Sequence, residues 1–146
     1  MPTYRVATDI DAEPAVAFAA IADLSGHAAW AADPIEVTAA DSSPIAPGKR
    51  YRSTATSKGK TFTADLVVTE YDAPRRFAFT ATDATGCYHH RFTVSPAGAG
   101  VRVEREISGD LTLPQRLLFT LVYLPVKRPS ARRAMAQLQA VVEKTR

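Results

Sequence analysis

The chain has 146 residues, of which 46% are apolar and 23% charged, and its net charge is +3. This length and composition predict one domain, residues 1–146, with a single core. No apolar run approaches the ~20 residues of a transmembrane helix, and the N-terminus shows neither a charged leader nor an apolar signal segment, so we expect a cytoplasmic protein. The single cysteine, Cys87, excludes an internal disulfide and suits a reducing compartment.

Charge is distributed unevenly along the chain. Residues 1–48 contain seven acids and one base, whereas residues 112–146 contain seven bases and one acid. Such a basic segment is typical of a helix that binds phosphate or an anionic membrane surface, or of a solvated helix face near an acidic surface of the same molecule. No aromatic residue lies among the bases from Lys127 onward to stack on nucleobases, so we favour the solvated face and expect no nucleic-acid partner.

The first third of the chain predicts a strand, two short helices and a weak strand. Residues Tyr4 to Ile10 alternate between apolar and polar, which indicates a half-buried strand. Ala12 to Ala22 is predicted as a helix, with Pro14 in its first turn. His27 to Trp30 would add a short turn, and apolar residues at 35, 37 and 39 indicate the weak strand.

The middle of the chain predicts five strands joined by turns, each with its apolar residues on one face. In order they cover Arg50 to Ser57, Phe62 to Tyr71, Phe77 to Thr82, Tyr88 to Val94 and Val101 to Ile107.

The last third of the chain predicts a long amphipathic helix. One stripe is formed by Ala131, Ala134, Met135, Leu138, Val141 and Val142. The preceding run from Leu117 to Leu124 is apolar on all sides, so we expect it to be covered on more than one side. Pro125 and Pro129 should kink or split the helix. A helix with such a stripe is not stable alone, and its natural partner is a sheet curved around it.

Short motifs support a family assignment. They are Ile10-Asp-Ala, Pro47-Gly-Lys-Arg-Tyr51, Val68-Thr-Glu-Tyr-Asp-Ala-Pro-Arg-Arg-Phe77 and Gly100-Val-Arg-Val. With the order of elements, these residues resemble the START-like, SRPBCC superfamily, and within it the small bacterial polyketide cyclase/dehydrase-like proteins. The resemblance implies an α+β helix-grip fold, in which a curved antiparallel sheet of about seven strands wraps on a long C-terminal helix, with two short helices after the first strand.

The same resemblance implies an apolar cavity between the sheet and the long helix. Members of the superfamily use such a cavity to bind lipids, hormones or polyketides. Some steer the cyclisation and dehydration of a polyketide, and others look like carriers with no reaction at all. Family membership alone does not choose between these activities.

Several kinds of chemistry are not expected from this sequence. Its three histidines are His27, His89 and His90, and adjacent residues of a strand point to opposite faces, so His89 and His90 cannot share a metal ion. Neither a Rossmann nor a P-loop glycine pattern is present, nor a Gly-x-Ser-x-Gly elbow. We therefore expect no metal site and no cofactor, and we interpret Cys87 as an inert thiol rather than a nucleophile.

Strand parity selects Arg105 and His90 as the candidate polar pair. If Phe92 faces the helix, His90 does too, and Arg105 shares the face of its apolar strand neighbours. Arg105 would then hold a carbonyl, enolate or carboxylate of a ligand, and His90 would act as an acid or a base. Alternatively, Arg105 pairs with Asp65 or Glu70 near the sheet rim, and His90 hydrogen-bonds a backbone carbonyl.

Further candidate ligand-binding residues are aromatic. They are Trp30, Tyr51, Phe79, Tyr88, Phe92 and Phe119. Each is also explained by packing, with Trp30 as a core anchor, the tyrosines as half-exposed packing and the phenylalanines as core.

The residue patterns and the resemblance together imply a small, mostly apolar ligand in an internal cavity of a few hundred Å3. The lipid- or polyketide-like character of the ligand, and a cyclase or dehydratase activity of a lyase or isomerase type as one option, are what the resemblance implies. A carrier or sensor without catalysis, and an interaction protein that uses its basic helix, stay open as alternatives. Monomer and homodimer are equally compatible with the sequence.

Overall fold

The computed structural model describes residues 3–31, 34–57, 59–110, 112–118, 120–121 and 124–144. Its strands are β1 (Thr3–Ile10), β2 (Ile35–Ala39), β3 (Arg50–Ser57), β4 (Lys60–Asp72), β5 (Arg76–Asp83), β6 (Gly86–Ala97) and β7 (Gly100–Asp110). Its helices are α1 (Pro14–Ala22), a 3-10 helix (Leu24–Ala29), α2 (Leu113–Leu118) and α3 (Leu124–Lys144). This is the α+β helix-grip fold that the sequence predicted. None of the helices in these ranges is long and apolar enough to cross a membrane.

The described strands form one antiparallel sheet in the order β1-β7-β6-β5-β4-β3-β2. The chain therefore passes from one sheet edge to the other between β1 and β2, and α1 and the 3-10 helix lie on this connection. Side chains alternate between an inner, concave face and an outer face along each strand. On the inner face, Val6 of β1 and Phe92 of β6 are the register partners that flank Arg105 of β7.

Helix α3 buries the predicted stripe against the inner side of the sheet. Leu138 and Val142 are at most 1% exposed, and Val141 is only partly buried. The helix packs mainly on edge strand β1, with smaller contacts to α1 and the 3-10 helix. Gln139 accepts a hydrogen bond from the hydroxyl of Thr8, and Glu143 accepts one from the backbone N–H of Asp11. The C-terminal half of α3 is thus fixed to the end of β1.

Of the two outcomes expected at Pro129, the helix is not split there, because α3 continues through it. A kink at Pro129 stays a prediction. Pro125 lies in the first turn of α3, where its missing N–H would have no partner in the helix. Leu117 and Leu121, the two apolar residues of segment 117–124 whose burial is described, are 63% and 66% exposed and are not covered as expected.

His27 of the 3-10 helix is a buried polar group of the core. It is 8% exposed, and its Nε2–H donates a 2.8 Å hydrogen bond to the carbonyl of Ile21 in α1. Its ring lies 4.3 Å from that of Trp30, so the residue ties α1 to the end of the 3-10 helix. Burial lowers the pKa of His27 from 6.5 to about 4, and the positive charge of Arg105 acts in the same direction.

The lowered pKa of His27 predicts that the protein loses stability as the pH falls from about 6.5 to about 4. Over this window the unfolded chain binds a proton at His27 and the folded chain does not, so acidification favours unfolding. At pH 5 the loss from this residue should be about 2 kcal/mol relative to pH 7. Urea unfolding at the two pH values measures it.

The matched variants are His27→Gln and His89→Gln. The glutamine amide can still donate to Ile21 but does not titrate, so His27→Gln should show a smaller difference in unfolding free energy between pH 7 and pH 5. His89 lies on the outer face with its side chain 38% exposed, so His89→Gln is the control for removing a histidine outside the core. An equal loss in the parent and His27→Gln would contradict the assignment.

Candidate functional site

Arg105 is the central charged residue of the concave face. Its guanidinium carbon lies 5.1 Å from the centroid of the Phe92 ring, and one Nη donates a 3.1 Å hydrogen bond to Nδ1 of His90. Its Nε–H is buried and has no hydrogen-bond partner among the described residues. The sequence prediction that Arg105 and His90 meet on the inner face is therefore correct in its geometry.

The alternative partners of Arg105 lie on the other face of the sheet. Asp65 pairs with Arg52 at 3.4 Å. Glu70 lies 3.6 Å from the guanidinium of Arg91 and 3.9 Å from that of Arg76. In the described part of the chain, no carboxylate lies within 4.0 Å of Arg105, so the alternative in which Asp65 or Glu70 neutralises it is wrong.

His90 is held as a neutral ring. It stacks on Phe79 with the ring centroids 4.7 Å apart and an interplanar angle of 4°. Burial lowers the pKa of His90 well below 6.5, and the positive charge of Arg105 lowers it further. A guanidinium can only donate, so Nδ1 of His90 accepts and the ring proton is on Nε2. The alternative hydrogen bond to a backbone carbonyl is replaced by this bond to Arg105.

Arg105 keeps its charge in spite of its surroundings. Burial lowers the pKa of its guanidinium, while Tyr4 on the neighbouring strand β1 raises it. Because the ordinary pKa of arginine is above about 12, the side chain stays protonated at any working pH. A charge enclosed in this way is costly unless it is paired or fully hydrogen-bonded. Within the described part of the chain, the compensation for this positive charge comes from neutral groups.

One end of the inner face stays accessible around this pair. It is the end at which β6 begins and β7 finishes, and α3, which packs mainly on β1, leaves it partly uncovered. Inner positions in this region are partly or largely exposed, namely Ala55, Phe62, Ala64, Ala81, Tyr88, His90 and Arg105. Phe62 is 48% exposed, although it lies on the same face of β4 as Leu66, which is buried.

The aromatic candidates divide into two groups. Trp30, Tyr51, Phe79 and Phe92 are at most 5% exposed and form the base of the concave face. Nε1 of Trp30 is buried without a hydrogen-bond partner among the described residues. Tyr88 is partly exposed, and its hydroxyl is 2.8 Å from that of Thr85. Phe119 lies outside the described residues.

Two surface grooves, of about 580 and 270 Å3, lie on the outer face of β2 to β5. Both include Arg52 and Asp65, and neither includes Arg105 or His90. The internal cavity of a few hundred Å3 therefore stays a prediction, supported by the accessibility of the inner positions.

A second side-chain cluster, which the sequence reasoning missed, lies on the outer face. Cys87 and Asp110 are register partners across β6 and β7, and His89 is the next outward residue of β6. The Cys-x-His alternation was visible in the sequence, but the position of Asp110 opposite Cys87 depends on strand register.

The chain is similar to known proteins over nearly its whole length. The family model described as polyketide cyclase / dehydrase and lipid transport matches residues 1–143. Protein TTHA0849 of Thermus thermophilus has a similar structure, with a TM-score of 0.77, 21% identity and 99% of each chain covered. Protein CV1439 of Chromobacterium violaceum has a TM-score of 0.73 and 19% identity over 98% of this chain and 99% of the other.

At these identities the two structures show the fold alone, and none of the curated proteins compared matches the sequence. The family match covers far more than half of the chain, and the antiparallel sheet and the long C-terminal helix agree with it. The chain belongs to the polyketide cyclase / dehydrase and lipid transport family.

Proposed function

We propose that the protein binds a small, mostly apolar ligand on its concave face and that Arg105 binds an anionic or electron-rich oxygen of that ligand. The observation that carries the proposal is the enclosed guanidinium, which has an unpartnered Nε–H and no carboxylate within 4.0 Å in the described part of the chain. A carboxylate, enolate or phenolate of a ligand would supply the missing negative charge and accept a hydrogen bond from the guanidinium.

The surroundings of Arg105 support an apolar ligand body. Phe62, Ala64 and Ala81 share the inner face and are accessible, and Phe79 and Phe92 lie beneath the polar pair. Such a surface, with few polar groups, is typical of small-molecule sites, in which apolar contact gives most of the affinity and the polar groups fix the orientation.

The arrangement of His90 favours binding over acid–base catalysis. Its Nδ1 is occupied by Arg105, and its low pKa leaves Nε2 as a hydrogen-bond donor rather than a base. Arg105 and His90 can each donate to a ligand, but to separate oxygens, because Nε2 lies across the imidazole ring from Nδ1, where Arg105 binds. Arg105 would stabilise an enolate oxygen, so cyclisation or dehydration of a polyketide-like substrate is the second candidate function, with the guanidinium acting as the oxyanion site.

Native mass spectrometry of the freshly purified protein distinguishes these functions from the alternative of an interaction protein. A bound apolar molecule with an acidic or enolic group, identified after extraction, supports ligand binding. Conversion of that molecule on incubation with fresh protein would identify the second candidate. Protein that carries no small molecule and binds none of the probes below would contradict both.

Arg105→Met should weaken the binding of an acidic apolar ligand selectively. The probe is cis-parinaric acid, a fluorescent fatty acid, compared with its neutral methyl ester. Loss of a charged hydrogen bond should raise the Kd of the acid about tenfold or more. The Kd of the ester should change little, because methionine keeps most of the side-chain volume. Fluorescence titration measures both values.

The matched control is Arg102→Met, three residues earlier on β7. Arg102 faces outward and pairs with Asp9 at 3.4 Å, so its replacement should leave both Kd values unchanged. Equal loss for the acid and the ester in Arg105→Met would show that the residue braces the fold rather than binding the ligand.

A bulky residue at Ala81 should close the accessible end of the concave face. Ala81 is a register partner of both Leu66 and Tyr88 on the inner face. Ala81→Trp should raise the Kd of both parinaric acid and its ester, because the indole would occupy the space of the ligand body. Thr82→Trp, on the exposed outer face of the same strand, is the control. Unchanged binding in Ala81→Trp would place the ligand elsewhere.

A further inference from the structure

The outer face carries a group of three metal-binding side chains that plays no part in the proposed ligand site. The thiol of Cys87, a ring nitrogen of His89 and a carboxylate oxygen of Asp110 all lie within 4.8 Å of one another. The antiparallel register places Cys87 directly opposite Asp110, and the two-residue period of β6 places His89 on the same face as Cys87. Regular strand geometry therefore brings the three together.

We propose that Cys87, His89 and Asp110 form a zinc site. Thiolate sulfur, imidazole nitrogen and carboxylate oxygen are the three ligand types that proteins offer to Zn2+. Three protein ligands leave a fourth tetrahedral position for water or an external ligand. The side chains of His89 and Asp110 are 38% and 57% exposed, so an ion has direct access from solvent.

The contact between His89 and Asp110 holds two of the donor atoms together. Nε2 of His89 lies 2.6 Å from Oδ2 of Asp110. In a tetrahedral zinc site such a nitrogen and oxygen lie about 3.4 Å apart, so a shift of about 1 Å would admit the ion in place of the shared proton. Binding would also release the proton of the Cys87 thiol, since the thiolate is the ligand.

The charge around the cluster suits a divalent cation. The thiolate of Cys87 and the carboxylate of Asp110 together neutralise Zn2+. Arg91, the next outward-facing residue of β6, carries a positive charge that would repel a bound cation. Its guanidinium lies 3.6 Å from the carboxylate of Glu70 on β4, which offsets this repulsion. The ion would join the beginning of β6 to the end of β7, just before the chain leaves the sheet for α2. It would thus fasten the sheet at this end.

Cobalt titration of the full-length, tag-free chain tests the site. Co2+ is the probe because a cobalt–thiolate bond gives a charge-transfer band in the near ultraviolet. We expect one Co2+ per chain, displaced by Zn2+, with the band absent in Cys87→Ser. His89→Gln and Asp110→Asn should each weaken zinc binding about tenfold or more, since even outer-shell changes cost that much. Asp65→Asn, another exposed outer carboxylate, is the matched control.

Thermal unfolding gives an independent readout. Zinc at a few times the protein concentration should raise the Tm of the parent and of Asp65→Asn, and EDTA should reverse the rise. Circular dichroism of the metal-free variants checks that each one folds. Zinc binding that is equally tight in Cys87→Ser, His89→Gln and Asp110→Asn, or cobalt binding without the thiolate band, would overturn the proposal. Absence of one-to-one binding at tens of micromolar metal would also overturn it. The ligand titrations of Arg105→Met are independent of all these outcomes.

Discussion

A positive charge enclosed on the concave face is the constraint on which the site depends. Arg105 lies between Val6 and Phe92 and is only partly exposed, so water solvates its charge incompletely. The observed compensation consists of a ring face, one imidazole lone pair and the nearby phenol of Tyr4. These groups are neutral, so they reduce the cost of enclosing the charge without cancelling it. An oxygen anion is the ligand group that such a face should bind most strongly.

Burial and this same charge together keep His90 neutral. A protonated imidazole next to a guanidinium would place two like charges in one enclosure, so the ring stays neutral and accepts the hydrogen bond from Arg105. Phe79 fixes the plane of the ring by stacking. Two contacts therefore fix the orientation of the His90 ring, as a ligand-binding group requires. The lowered pKa keeps the ring from taking up a proton.

The position of α3 separates the stabilising part of the core from the accessible part. The helix buries Leu138 and Val142 near edge strand β1, where loss of a large side chain would cost about 2–5 kcal/mol. Farther along the concave face, small residues such as Ala64 and Ala81 meet no equivalent cover in the described part of the chain and remain partly exposed. A closer fit of the helix over these strands would add stability but remove the space for a ligand.

Periodicity was sufficient to predict the long helix stripe, the strand order along the chain and the shared face of Arg105 and His90. It failed at Glu70. By simple alternation Glu70 should follow Leu66 and Val68 onto the inner face. A register shift between Val68 and Glu70 pairs Glu70 with Ala78 on the outer side and returns Tyr71 to the inner side. A bulge of this kind depends on the pairing of two strands, which the alternation within one strand does not contain.

His89 and His90 are adjacent in β6, but their side chains lie on opposite faces of the sheet and have different partners. His90 points into the concave face beside a cation, and His89 points outward to the carboxylate of Asp110. Zinc held by Cys87, His89 and Asp110 would add almost no net charge, because two anionic ligands offset the ion, so its electrostatic effect on His90 would be small. Any influence on the ligand site would instead pass through the backbone of β6, which carries both rings. Fastening β6 to β7 at this end would restrict the motion of Tyr88 and His90 at the accessible end of the concave face, and so lower the conformational entropy that a ligand would otherwise have to remove.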